Sequence, residues 1–356
     1  MRSGGPLGSA IVLRKVLVAG LALGPLTLAL HWLARPGALA EFVLAAVALV
    51  PLAWLIGEAT EHAADHTGAG IGGFLNATFG NAPELIVALL AVNRGLPEVV
   101  RGSLTGSVIG NLLLVLGASL LAADEGPFDR RSALRSVGLV GVSAGLFLVP
   151  AIGGWHGDPN RHSLAVLSLP VAVVLLALYV AATSRSLARQ HRLHEAEDDA
   201  LTGWSLRTAL AALGAATLVT AFVAEVLVGS LEDFAHDVGL SDFFVAAVIV
   251  ALVGNAAEHG GAVLVARRGK HELAVEISLS SAAQVAVFLI PAVVLLSWAV
   301  HPLALSFRPV ELGALAASTA LAAAVAAGGK TGRGRGALLA AAYVAVAAAF
   351  LASGNR

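Results

Sequence analysis

GNAPELIVALLAVNRG at residues 80–95 and GNAAEHGGAVLVARRG at 254–269 decide how this chain is built. Each sets one glutamate, Glu84 or Glu258, inside a long apolar stretch. A carboxylate at bilayer depth costs at least ~2.5 kcal/mol on insertion scales, so two of them at matching places are the first candidates for function. Sliding the second half over the first by 174 residues aligns 58–107 with 232–281 without a gap, and 13 positions are identical. Among them are Glu58 with Glu232, His62 with His236, Gly80-Asn81-Ala82 with Gly254-Asn255-Ala256, Glu84 with Glu258, Glu98 with Glu272, and Ser107 with Ser281. Low complexity aligns Ala and Leu by chance, but not this polar set.

Composition places the repeat in a membrane. Of 356 residues 58% are hydrophobic and 13% charged, and apolar runs long enough to cross a bilayer recur throughout, which excludes an ordinary soluble globule. With no Cys, disulfides, thiolate metal sites and cysteine nucleophiles are excluded. The expected fold class is an all-α polytopic membrane protein with eleven transmembrane helices. These run over Val16 to Leu33, Phe42 to Ala64, Gly72 to Val92, Val99 to Leu121, Ala133 to Ile152, Ser163 to Thr183, Leu206 to Leu227, Phe243 to Ala266, Leu273 to Val300, Val310 to Ala327 and Ala337 to Leu351. The segment Arg14 to Ala40 imitates a signal peptide, but its apolar run is longer than an ordinary h-region and reads as a retained first span. A cytoplasmic N-terminus puts 16 of the 22 Lys and Arg inside, which sets the orientation.

Four parts follow: an N-terminal helix (1–38), a five-helix repeat (39–185), a linker (186–205) and a second five-helix repeat (206–356). The polar interruption Ser184 to Ser205 around the linker carries Arg185, Arg189 and Arg192, then Glu195, Glu197, Asp198 and Asp199, and is expected on the cytoplasmic side as a solvated tether. Five is an odd number, so the two repeats cross the membrane in opposite directions. Inverted repeats place their site near the midplane, on helices interrupted so that backbone carbonyls are freed.

Asn81 and Glu84 are three residues apart, as are Asn255 and Glu258, so each pair projects from one helix face. Gly80 and Gly254 just upstream weaken the helix and make exposed carbonyls plausible ligands. Ser107 and Asn111 lie one turn apart in the next helix, and Ser281 and Gln284 hold the same region of the other copy. All these donors are oxygen, which favours a hard cation such as Ca2+ over a soft metal. Burial favours a neutral carboxyl and a bound cation favours the charged one, so protons and metal compete for Glu84 and Glu258. An empty, doubly ionised pair is costly in lipid, which discourages reorientation without cargo. Glu58 and Glu232 sit near helix ends, either in an entry funnel or simply solvated. His259 faces away from Glu258 on the helix and has Leu85 as its counterpart, so no role is assigned to it.

The paired stretches quoted above, with GSVIGNLLLVLG at 106–117 and SSAAQVAVFLIP at 280–291, resemble the two signature repeats of the Ca2+/H+ antiporters, the CAX branch of the Ca2+/cation antiporter superfamily. The resemblance covers both halves and the acidic linker. It implies eleven helices, inverted repeats and a cation site centred on Glu84 and Glu258. It also carries over Asn81, Asn255, Ser107, Ser281 and Gln284 as site or supporting groups.

Three departures stand out. Pro83 replaces the Thr usual in the motif and removes a backbone donor beside Glu84. Glu276 and Ser280 occupy positions expected to be small. The loop GKTGRGRG at 329–336 lacks the acidic segment associated with the family before the last helix.

The sequence therefore leads to a secondary antiporter that exports Ca2+ from the cytoplasm in exchange for H+. It is not an enzyme and needs no cofactor; its partners are Ca2+, protons and the lipid bilayer, not nucleic acid, and a homo-oligomer stays open. A bacterial inner membrane is the expected location. The alternatives are an exchanger of another cation pair (Na+/Ca2+ or Mn2+/H+), a cation channel and an intramembrane hydrolase; the last needs HExxH or paired catalytic Asp, which are absent.

Overall fold

A computed structural model describes residues 6–190 and 203–355. The acidic run Glu195 to Asp199 lies outside the described residues. Among them the chain is helical, with one isolated β-bridge between Pro127 and Lys330. The helices are α1 (Val12–Leu33), α2 (Ala38–Phe79), α3 (Ala82–Asn93), α4 (Pro97–Ala122), α5 (Arg130–Gly154), α6 (His162–Gln190), α7 (Leu206–Val238), α8 (Asp242–Gly254), α9 (Ala256–Arg267), α10 (His271–Ser297), α11 (Pro309–Ala327) and α12 (Arg333–Ser353).

Nine of the described helices are long and apolar enough to cross a bilayer, and α8 with α9 makes a tenth as a pair bent by 56°. These spans, with the shorter apolar helix α3 beside them, leave the exact count of eleven unconfirmed among the described residues. The span expected over Gly72 to Val92 is not one helix: its first third belongs to α2, and α3 is only 12 residues long. The cause is local. Gly80 and Asn81 interrupt the hydrogen-bond ladder, and Pro83, with no N–H to donate, suits only a first helical turn. Nor is the 42-residue α2 a straight rod of about 63 Å. A Cβ on Gly72 would stand 3.0 Å from the Ala64 carbonyl oxygen, although eight residues rise about 12 Å in a straight helix, so the chain doubles back between them.

The core lies where the halves meet. α4 and α10 are the most enclosed spans, whereas α1 and α12 turn most of their surface outward. Without a hydrophobic drive between helices in lipid, close approach depends on small residues. Gly106 of α4 shows this: a Cβ there would overlap the backbone of Ala247 in α8. The long contact of α7 along α2 includes a stacked pair, Phe42 and Phe234, with ring centroids 4.0 Å apart. Element boundaries repeat with the sequence offset of 174 residues, since α3 and α9 match in length and position and α4 and α10 begin at Pro97 and His271.

Candidate functional site

Both helix breaks have the same shape. Asn81 has φ −103°, ψ 18° and Asn255 has φ −91°, ψ 5°, the sparsely populated bridge region between strand and helix. Each carbonyl starts the next helix in the same way, accepting from the amide of Leu85 or His259 at 3.0 Å. Glu84 and Glu258 therefore stand in the first turns of the short helices α3 and α9.

The two acids approach each other across the halves. Glu84 is buried, and a Cβ on Gly254 would lie 3.2 Å from Glu84 Cγ and 3.4 Å from Oε1, so the glycine makes room for the carboxylate. Glu84 and Glu258 are within electrostatic reach of one another. Ser281 Oγ donates a short hydrogen bond to Glu258 Oε2. Glu84 Oε2, in contrast, is buried with no hydrogen-bond partner among the described residues.

A polar web surrounds the two acids and reaches Glu258. Asn255 Nδ2 donates to Ser107 Oγ at 2.9 Å, and Asn111 Nδ2 donates to Asn255 Oδ1 at 3.2 Å and to Ser281 Oγ at 3.1 Å. Asn81 Nδ2 donates to Gln284 Oε1 at 3.4 Å. Ser107 and Asn111 of α4, Ser281 of α10 and Asn255 at the break before α9 thus form one network across both halves, which Glu258 joins through Ser281, while Asn81 at the other break pairs with Gln284 of α10. Glu84, Ser107 and Gly254 also line a cavity of about 10 Å³, room for one water-sized particle.

Three of the surrounding helices widen into π-turns: Gly110–Val115, Val245–Val250 and Val285–Leu289. The first contains Asn111 and the last begins immediately after Gln284, at equivalent places in the two halves. A π-turn inserts one residue into the ladder and rotates the side chains that follow, which commonly marks functional sites.

The remaining sequence candidates separate. Gly80 is at the first break but does not line the cavity that Gly254 lines. Glu58 pairs with Arg14 at 2.9 Å, and Glu232 is exposed on α7; neither reaches the web. Ser103, one turn before Ser107, lines the cavity and was not foreseen; its i, i+4 spacing to Ser107 was the available signal. Pro83 lines the same cavity, so the departure from Thr falls at the site itself. Glu276 is exposed on α10 in a cleft with Glu272 and Asp129.

A fold of apolar helices broken twice at the same motif marks a class of membrane ion exchangers, and the chain belongs to the sodium/calcium exchanger protein family, which matches residues 37–187 and again 208–352. Its relatives narrow the class. The Ca2+/H+ antiporter of Synechocystis sp. is 35% identical, with 94% of this chain and 97% of the relative covered. The Ca2+/H+ antiporter ChaA of Bacillus subtilis is 36% identical with the same coverage. The structure of native YfkE superposes with a TM-score of 0.80 at 34% identity, covering 95% of this chain and 99% of that one. The H+/Ca2+ exchanger CAX, at 17% identity, shares the fold with a TM-score of 0.71 over 96% of this chain and 92% of its own.

Proposed function

We propose that this protein exchanges Ca2+ for H+ across a membrane by alternating access to one site, with Glu84 and Glu258 as the charged ligands. Asn81, Asn255, Ser107, Asn111, Ser281 and Gln284 would complete or orient the site. The observation that carries the reading is the buried Glu84 carboxylate, one oxygen of it unpartnered, set against Gly254 of the opposite half and within reach of Glu258. A buried charge of this kind needs a counter-charge or a proton, and a transported cation and H+ supply the two alternatives. The identity of the relatives and the all-oxygen donor set support Ca2+ as the cation. The two carboxylates match a divalent charge.

A cytoplasmic N-terminus follows from the distribution of basic residues, and export from the cytoplasm across a bacterial inner membrane completes the reading. The test is 45Ca2+ uptake into inverted vesicles energised by an imposed pH gradient, with Na+ and Mn2+ as competitors. Accumulation that collapses when the pH gradient is dissipated supports Ca2+/H+ exchange. Uptake driven by Na+ instead, or Ca2+ flux only down its own gradient, overturns it. Competition for one site further predicts that acidification raises the Ca2+ concentration needed for half-maximal uptake while leaving the maximal rate nearly unchanged.

A further inference from the structure

Between α10 and α11 the chain forms no helix, yet Leu303 to Arg308 are all buried. Irregular backbone survives inside a bundle only where its polar groups find partners. Here side chains from both halves supply them. Leu303 N donates to Ser297 Oγ and Leu305 N to Ser168 Oγ, each at 2.9 Å, while Trp155 Nε1 donates to the Phe307 carbonyl at 2.9 Å. The Ala304 carbonyl accepts from Arg101 Nη1 at 3.1 Å.

Arg101 is 0% exposed, six residues before Ser107 on α4. Its other contacts are Glu98 at 2.5 Å, Asn160 at 3.0 Å and Ser306 at 3.1 Å. Arg308, at the other end of the strap, donates its amide to Glu311 at 2.7 Å and one guanidinium nitrogen to the Gly354 carbonyl at 2.8 Å. Its guanidinium lies 3.5 Å over the Phe243 ring, and its Nε is 3.6 Å from Glu98. Glu311 is 0% exposed and accepts from Thr105 on α4 at 3.3 Å. Two arginines and two glutamates thus bind α4 of the first half to α11 of the second, beneath a buried strap.

Among the described residues the other end of the bundle has no such ionic cluster: the loop before α5 is tied to the second half by hydrogen bonds alone, Thr331 N donating to the Gly126 carbonyl and Gly126 N to Thr331 Oγ1, each at 2.8 Å, and Phe128 N to the Gly329 carbonyl at 3.2 Å. Within the aligned stretch the 174-residue offset sets Glu98 and Arg101 against Glu272 and Val275, so the buried arginine has an apolar counterpart. In place of a buried cluster there is a cleft between α10 and the start of α5, lined by Ser132, Ser136, Glu272 and Glu276 among others. Strap and cleft lie at opposite ends of α5: Trp155 caps its last turn beneath the strap, and Asp129 caps its first turn beside the cleft, 25 residues or about 37 Å away.

We infer that residues 298–308 and the Glu98–Arg101–Arg308–Glu311 cluster are a one-sided lock. It holds that face of the protein shut and biases access to the Glu84–Glu258 site toward the cleft face. The inference rests on the alternating-access reading above. Opening the locked face requires α4 and α11 to part, which separates buried charges from their partners and strips the strap backbone of its donors. Opening the cleft face costs hydrogen bonds such as Gly126–Thr331 and Phe128–Gly329 and separates no buried charges.

The cysteine-free chain allows a direct test with single-cysteine reporters, Ala304→Cys in the strap and Ser136→Cys in the cleft, labelled by a water-soluble maleimide in nanodiscs where both faces are accessible. In the otherwise unaltered protein, Ser136→Cys reacts fast and Ala304→Cys slowly. Adding Arg101→Met or Glu311→Gln raises the Ala304→Cys rate at least ~10-fold, the shift expected from losing one hydrogen bond to a charged group, and lowers the Ser136→Cys rate in return. Arg101→Lys, which keeps the charge but not the planar fork, gives an intermediate rate. An unchanged rate at Ala304→Cys overturns the lock. A rise there with no fall at Ser136→Cys also overturns it, because the cluster would then only hold the strap in place. Glu311→Gln preserves shape and carries the test where Arg101→Met does not fold. Labelling needs no ion flux, so its failure is distinguishable from failure of Ca2+/H+ exchange.

Discussion

Replacing Glu84 by Gln separates the site's function from its architecture. The side chain keeps its volume against Gly254, and because Oε2 bonds to no described residue, the substitution breaks no hydrogen bond of that oxygen. What it removes is the charge. Truncating one member of a buried charge pair costs about 2–5 kcal/mol, and at 1.4 kcal/mol per decade Ca2+ affinity falls by roughly 30-fold to several thousand-fold. Fold stability in Ca2+-free buffer stays at the wild-type level or rises, since a buried carboxylate without a partner is a burden to the apo protein. Two assays read these effects together. Proton-driven 45Ca2+ uptake into vesicles is lost. In thermal melts of the purified protein, Ca2+ at 100 times the wild-type dissociation constant stabilises the wild type by about 2.7 kcal/mol and the variant by no more than about 0.9 kcal/mol. Uptake within threefold of wild type would refute the role given to Glu84. So would loss of uptake accompanied by a lower melting temperature without Ca2+, which would make the residue structural.

Three further outcomes are expected. Asn111→Leu removes the donor that reaches Asn255 and Ser281 and leaves Asn255 Oδ1 without it, so stability falls by ~1–3 kcal/mol and Ca2+ affinity falls with it; an unchanged melting temperature and unchanged uptake would dismiss the web. Gly106→Ala forces a methyl group into the Ala247 backbone, costing about 1–3 kcal/mol, read as a lower melting temperature whether or not Ca2+ is present; a neutral result would mean that α4 and α8 can separate freely. Pro83→Thr restores a backbone donor and a hydroxyl beside Glu84, so uptake rate or Ca2+ affinity changes while exchange persists; silent kinetics would make the proline incidental.

Much of the site was readable from residue order. The offset of 174 residues paired Asn81 with Asn255 and Glu84 with Glu258, and the structure shows the asparagines at equivalent helix breaks with nearly the same backbone angles and the glutamates in the first turns that follow. Polar groups in lipid are too costly to be scattered, so their positions in an apolar chain carry strong signal. Ser107, Asn111, Ser281 and Gln284 were legible for the same reason. Glu58 and Glu232 were not separable from them, because repeat identity reports common ancestry of position and not which way a side chain points.

Arg101, Arg308 and Glu311 were missed for the opposite reason. They have no counterparts at the offset, lie near apparent span ends where charges are ordinarily solvated, and are separated by some two hundred residues. Only packing brings them into one buried cluster. The π-turns were equally hidden, since one extra residue in a helical turn leaves no composition signature.

From its sequence alone the chain is committed to a bilayer, to two related halves and to a pair of acids at repeated motifs, because hydropathy and the price of buried charge act locally, wherever the chain goes. Tertiary structure alone decided that Glu84 rests against Gly254, that Asn111 ties Ser107's helix to Ser281's, that α2 doubles back instead of running straight, and that one end of the bundle carries an ionic cluster while the other is cleft. Those outcomes depend on how close two backbones come. That distance is set by small residues such as Gly106 meeting a particular partner, which no single segment specifies.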